Sequence, residues 1–172
     1  MEADEIREAL ERAVETGDRG VGLTMAIVAV LLALSTMLGH RTHTEEVVLQ
    51  TRATDQWTYY QAKNIRSHMY AADAHLAALF GEKGAEQATE FSKLGEEQKK
   101  GAEGVRREAE KLELETEGAA HKAKYFDISE VLLEISIVLC SITLLTRSKA
   151  FWKMSFISTS LGVILGLVAL LR

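Results

Sequence analysis

The sequence predicts an all-α membrane protein: three transmembrane helices, with a long antiparallel, coiled-coil-like helical hairpin between the first and second. Three observations predict it. Three apolar runs, residues 20–39, 128–146 and 154–171, stand apart from a middle rich in Glu, Lys, Arg and Gln. Each run is near the minimum of about 18 residues that crosses a hydrocarbon core at 1.5 Å per residue. The chain of 172 residues contains no proline, the residue that most strongly interrupts helices. Small and apolar residues of the middle segment recur at alternating spacings of four and three, the repeat of helices that supercoil. The near-neutral mean hydropathy only averages these populations.

Residues 1–19 are expected to form a cytoplasmic amphipathic lead-in, with Ile6, Leu10, Ala13 and Val14 at helical spacing before Gly17. An excess of acids disfavours attraction to anionic lipid, so a solvated helix is expected. This segment is too long and too acidic for the basic start of a cleaved signal peptide, and the run 20–39 is expected to be an uncleaved signal anchor.

Residues 40–127 are expected to lie outside the bilayer as the hairpin, turning at 81–84, where Gly81 and Gly84 bracket Glu82 and Lys83. On the outgoing arm Ile65, Met69, Ala72, Leu76 and Leu79 keep the four-three rhythm. The return arm keeps it longer, from Phe91, Gly95 and Gln98 through Ala102, Val105, Ala109, Leu112, Thr116, Ala119 and Ala123 to Phe126. This seam is narrow and rich in alanine, and Gly101, Gly104 and Gly118 weaken the helix by about 1 kcal/mol each relative to alanine. The arm therefore needs a partner. Equal arms put residues whose numbers sum to about 165 at one height, so Trp57, Tyr59 and Tyr60 are expected to fill the aromatic core opposite the small residues of 102–109.

The short turn 147–153 holds Arg147, Lys149 and Lys153 and no acid, with Trp152 suited to an interface. Positive charge in short loops marks the cytoplasmic side. The amino terminus is then cytoplasmic too, and the hairpin and carboxyl terminus lie across the membrane.

Three stretches carry a family resemblance: LGHRTH at 38–43, LQTRATDQWTYYQAKNIR at 49–66 and FDISEVLLEI at 126–135. They resemble the small bacterial membrane proteins catalogued as domain of unknown function 4337, over nearly the whole chain. The resemblance implies a multi-pass protein of the bacterial inner (plasma) membrane with this three-span layout. It implies no activity.

The residues with chemical potential cluster where the first two runs leave the apolar region. Asp127, Glu130 and Glu134 share a helix face at i, i+3 and i+7, while His40, Arg41 and His43 occupy the matching end of the first run. The expectation is an interfacial polar network locking the two spans, with His40 level with Phe126 and Asp127, Arg41 reaching Glu130, and Glu134 deeper, opposite residues 30–32. A carboxylate at mid-bilayer costs about 2.5–3.5 kcal/mol and should face protein or water. The sharper alternatives are a proton or ion path at Glu134 and a divalent metal on His40, His43 and Glu130. Ala29 with Ala33, and Ser158 with Gly162 and Gly166, have the four-residue spacing that lets helices approach closely in lipid, and are expected to pack copies together. Cys140 is the single cysteine, excluding an intrachain disulfide, and is expected simply to pack.

No phosphate-binding loop, Cys-x-x-Cys, His-Glu-x-x-His or Gly-x-Ser-x-Gly motif occurs, and no basic face suggests a nucleic-acid partner. No metal or cofactor is expected. The expected function is that of a non-enzymatic structural or scaffolding membrane protein in contact with lipid, homo-oligomeric through its stalk and spans. The alternative is an oligomeric channel or transport component with Glu134 near the path.

Overall fold

The computed structural model describes residues 19–171 together with Asp4, Arg7 and Glu8; the rest of the expected lead-in, with Ile6, Leu10, Ala13, Val14 and Gly17, lies outside the described residues. Helix α1 is Arg19–Ala78, a 3₁₀ turn spans Gly81–Gly84, α2 is Ala85–Thr146 and α3 is Lys149–Leu171. The described residues contain no strand. The chain forms two compact units, one of Met1–Thr44 with Ala119–Arg172 and one of Glu45–Gly118.

With no proline to remove a donor, α1 and α2 continue without interruption across the boundary between apolar and polar sequence. One rhythm sets the buried face of each. In the first unit α1 buries Val21, Met25, Val28, Leu32, Ser35, Gly39 and Thr42, at steps of four and three. In the second unit Ala53 and Ala74 fall on the same repeat. Every residue of the expected return-arm seam, from Phe91 to Phe126, is buried or half-buried, and α2 then continues through Ser129, Leu133, Ser136, Cys140 and Thr143.

In the second unit α1 and α2 run antiparallel in close contact. A Cβ on Gly95 would lie 3.4 Å from both the Ser67 carbonyl oxygen and Tyr70 Cβ. Tyr70 stacks on Phe91 at 6.3 Å between ring centres. In the first unit the Gly39 position meets Phe126 Cβ at 3.4 Å. All three pairs sit close to the height rule of 165. The seam of the second unit buries little: Ala53, Ala74, Ala102 and Ala109, with Leu112 and Thr116. A buried methyl-sized group contributes about 0.8 kcal/mol, against up to about 3 kcal/mol for a whole leucine side chain.

Two turns connect the helices. Gly81 has φ +60°, a left-handed conformation that costs other residues about 1–2 kcal/mol. At Gly84, which is buried, any Cβ would overlap the Ala77 carbonyl oxygen. The α2–α3 connection is shorter than the expected 147–153. Arg147, at φ 55°, stops α2 by donating its backbone N–H to the Thr143 carbonyl at 2.8 Å. Helix α3 begins at Lys149, so Trp152 and Lys153 lie within it, Trp152 in its first turn.

These contacts separate the glycines energetically. Gly84→Ala should lower thermal stability strongly and Gly81→Ala by about 1 kcal/mol. Gly104→Ala, where a Cβ meets nothing within 4 Å, should raise it by about 0.5–1 kcal/mol. Thermal denaturation of the detergent-solubilised variants checks all three, and a stabilised Gly84→Ala would contradict the turn geometry.

Candidate functional site

The three-helix unit is joined by small side chains. At one level a relay of hydrogen bonds crosses all three helices: Ser35 Oγ of α1 donates to Ser129 Oγ of α2 at 3.1 Å. Ser129 Oγ in turn donates to the Gly162 carbonyl of α3 at 2.8 Å. Further along the α2–α3 contact, Ser158 Oγ donates to the Leu132 carbonyl at 2.6 Å and Ser136 Oγ to the Ser155 carbonyl at 3.0 Å. Ser136 Oγ also lies 2.7 Å from Thr159 Oγ1. Cys140 packs with Val21 and Met25, its thiol 3.4 Å from Ser155 Oγ. At the start of α3 the Trp152 indole lies over Gly20 and donates to Thr24 Oγ1 at 3.3 Å. An apolar hollow of about 140 Å³ opens beside the relay, bounded by Leu31, Phe126, Leu133 and Gly166.

The expected polar network is only partly assembled. Glu130 accepts a hydrogen bond from Thr36 Oγ1 at 2.7 Å instead of pairing with Arg41. The height rule put Glu130 beside residues 35 and 36, and a hydroxyl there reaches the carboxylate without bending a long cation inward. His43, not His40, meets Asp127, with Nε2 2.9 Å from Oδ1. His40 and Arg41 are exposed. Glu134 lies on the exposed face of α2 among Val131, Ile135 and Val138. Among the described residues no three His, Cys, Asp or Glu side chains converge as a ligand set.

The small residues of α3, expected to pack copies together, meet α2 of the same chain. Ser158 and Gly162 are buried. A Cβ on Gly162 would come within 3.1 Å of Leu133 Cγ and 3.2 Å of the Ser129 carbonyl, and one on Gly166 within 3.2 Å of Ser129 Oγ. Ala29 is half-buried and Ala33 exposed. Sequence reasoning does not single out Ser129, Ser136 and Thr143. Their seven-residue spacing was the available signal, and all three are buried to 1% exposure or less.

The aromatic run divides as well. Trp57 and Tyr60 are half-buried and meet edge to face at 5.6 Å. The Trp57 indole donates to Glu113 Oε1 at 2.8 Å, beyond the expected 102–109 stretch. Helical side chains lean toward their own amino terminus, which here carries the ring toward higher numbers on the antiparallel α2. Tyr59 is 47% exposed, outside the core, with Lys63 Nζ 5.2 Å from its ring centre.

Ser129→Ala removes one acceptor and one donor from the relay and should cost about 1 kcal/mol. Gly162→Val should cost about 1–3 kcal/mol by forcing α3 away from Leu133, whereas Ala33→Val on the exposed face should change stability by less than about 0.5 kcal/mol. Thermal denaturation in detergent checks the order, and equal effects at Gly162 and Ala33 would contradict the packing.

Comparison with the curated proteins and with the solved structures finds no match. One family model matches residues 18–172, that of the domain of unknown function DUF4337. The match covers both units and all three helices, and the chain belongs to that family.

Proposed function

We propose that the chain is a three-span membrane protein that acts as a non-enzymatic scaffold, assembling with further copies of itself around an extramembrane helical hairpin of residues 40–127. One observation carries the membrane part: the polarity of the three-helix unit is inverted relative to a water-soluble bundle. Ser35, Ser129, Ser136, Ser155 and Ser158 are buried, while Leu23, Val30, Met37, Val138, Leu161 and Ile164 are each at least half exposed. Three helices are long and apolar enough to cross a membrane. In lipid, outward leucine and valine need no cover, and inward hydroxyls and small residues hold helices together.

The assembly part is supported by the second unit. Its alanine seam buries too little apolar area for two long helices to be expected to stand alone, and neighbouring copies would supply the remainder. Arg147, Lys149 and Lys153 beside the α2–α3 connection favour a cytoplasmic position for that turn. Bacterial inner-membrane location follows the family resemblance.

A second reading, a channel or transport component, is favoured by the outward placement of Glu134 within an apolar span. It requires ion flux in vesicles reconstituted with the protein and loss of that flux in Glu134→Gln; absence of flux from the parent protein sinks it.

The scaffold reading predicts resistance to carbonate extraction, an oligomeric native mass in mild detergent, and crosslinks along residues 85–126. A monomeric mass without such crosslinks would overturn it. In a Cys140→Ala background, an impermeant maleimide applied to intact cells should label Glu82→Cys but not Ser148→Cys. The reverse pattern would invert the orientation.

A further inference from the structure

The back of α1 in the second unit carries an apolar stripe that no described residue covers. Ile65, Met69 and Leu76 are 59%, 60% and 59% exposed, and Leu79, one residue past the end of α1, is 82% exposed; Ala72 between them is exposed. Each lies two positions beyond a residue that faces α2, the series Lys63, Ser67, Tyr70, Ala74 and Ala77. At 100° per residue the stripe sits about 200° around the helix from that seam. Its spacing is the four-three repeat of a second coiled-coil face. The stripe leaves on the order of several hundred Å² of apolar surface open, a size that soluble surfaces rarely leave without a partner.

The same helix face reads Leu23, Ile27, Val30, Leu34 and Met37 in the first apolar run. It then turns mostly polar through Arg41, Thr44, Thr51, Asp55 and Thr58 before the stripe begins. Lipid that would cover the first stretch does not account for the second. End-on insertion of the turn into a membrane is opposed by Glu82, Lys83 and Glu86, which would enter with it. The stripe also runs along the helix, about 21 Å from Ile65 to Leu79 at 1.5 Å per residue, the form of a side-on contact.

We propose that a second copy of the chain docks here, α1 against α1, parallel and in register. The proposal rests on the three-span reading, because two copies inserted the same way in one bilayer run parallel and bring equivalent residues to equal height. Each apolar residue then meets its own equivalent, so the stripe is self-complementary by symmetry. The positions flanking a parallel coiled-coil seam place His68 of one copy beside Asp73 of the other and Arg66 beside Gln61, with no like charges opposed. Confinement to one membrane raises the effective concentration of the two faces.

Neighbouring alanines test the helical phase with minimal disturbance. In a Cys140→Ala background, oxidation of the detergent-solubilised full chain should give a disulfide-linked dimer from Ala72→Cys and from Met69→Cys. It should give none from Ala71→Cys, which points away from the stripe, and Leu76→Glu should abolish the Ala72→Cys dimer. Equal dimer from Ala71→Cys and Ala72→Cys overturns the proposal. An oligomeric native mass without an Ala72→Cys dimer also overturns it, assigning the stripe to another partner while leaving the scaffold reading intact. A monomeric mass overturns both.

Discussion

At the level of Ser35, Ser129 and Gly162, three helices are held by two hydrogen bonds and the absence of one side chain. Between apolar helices in lipid, hydrophobic burial supplies no attraction, and association depends on close packing and polar contacts. Each such hydrogen bond is worth about 0.6 kcal/mol on average, so no single one suffices. The contact works because it recurs: Ser158 on the Leu132 carbonyl and Ser136 on the Ser155 carbonyl repeat it along α2. The α3 backbone comes close enough only because Gly162 has no side chain and Ser155 and Ser158 have small ones.

The same constraint organises α1 and α2 along their length. One repeat fixes which face of each helix is inward, and only the chemistry of that face changes. It is valine, methionine and serine in the first unit and alanine in the second. The outer faces change in the opposite sense, from large apolar residues in the first unit to charged ones over most of the second. Side-chain size and polarity thus differ between the units while the four-three repeat is kept in each.

Much of this was legible in the sequence. Absent proline and the Gly81–Gly84 turn were enough to set where the long helices run and where they break, because these depend on backbone chemistry. Side-chain pairing was less legible. The height rule placed Glu130 beside Thr36, yet charge attraction suggested Arg41, and the choice depends on rotamer and reach that spacing does not encode. Height also says nothing about rotation around the helix, and Glu134 falls on the exposed face of α2. The small residues of α3 illustrate a further limit. Their spacing signals close approach but not whether the neighbour belongs to the same chain, and Leu133 and Ser129 fill that role here.

Lipid cover over the outward face of the three-helix unit, as proposed, is directly measurable. Single spin labels at Val30→Cys and Ile164→Cys in a Cys140→Ala background, in reconstituted bilayers, measure this through collision with oxygen and with a water-soluble nickel complex. High oxygen access and negligible nickel access at both sites are expected, with the opposite at a Glu108→Cys label on the exposed face of the second unit. Nickel access at Val30→Cys and Ile164→Cys equal to that at Glu108→Cys would contradict the account.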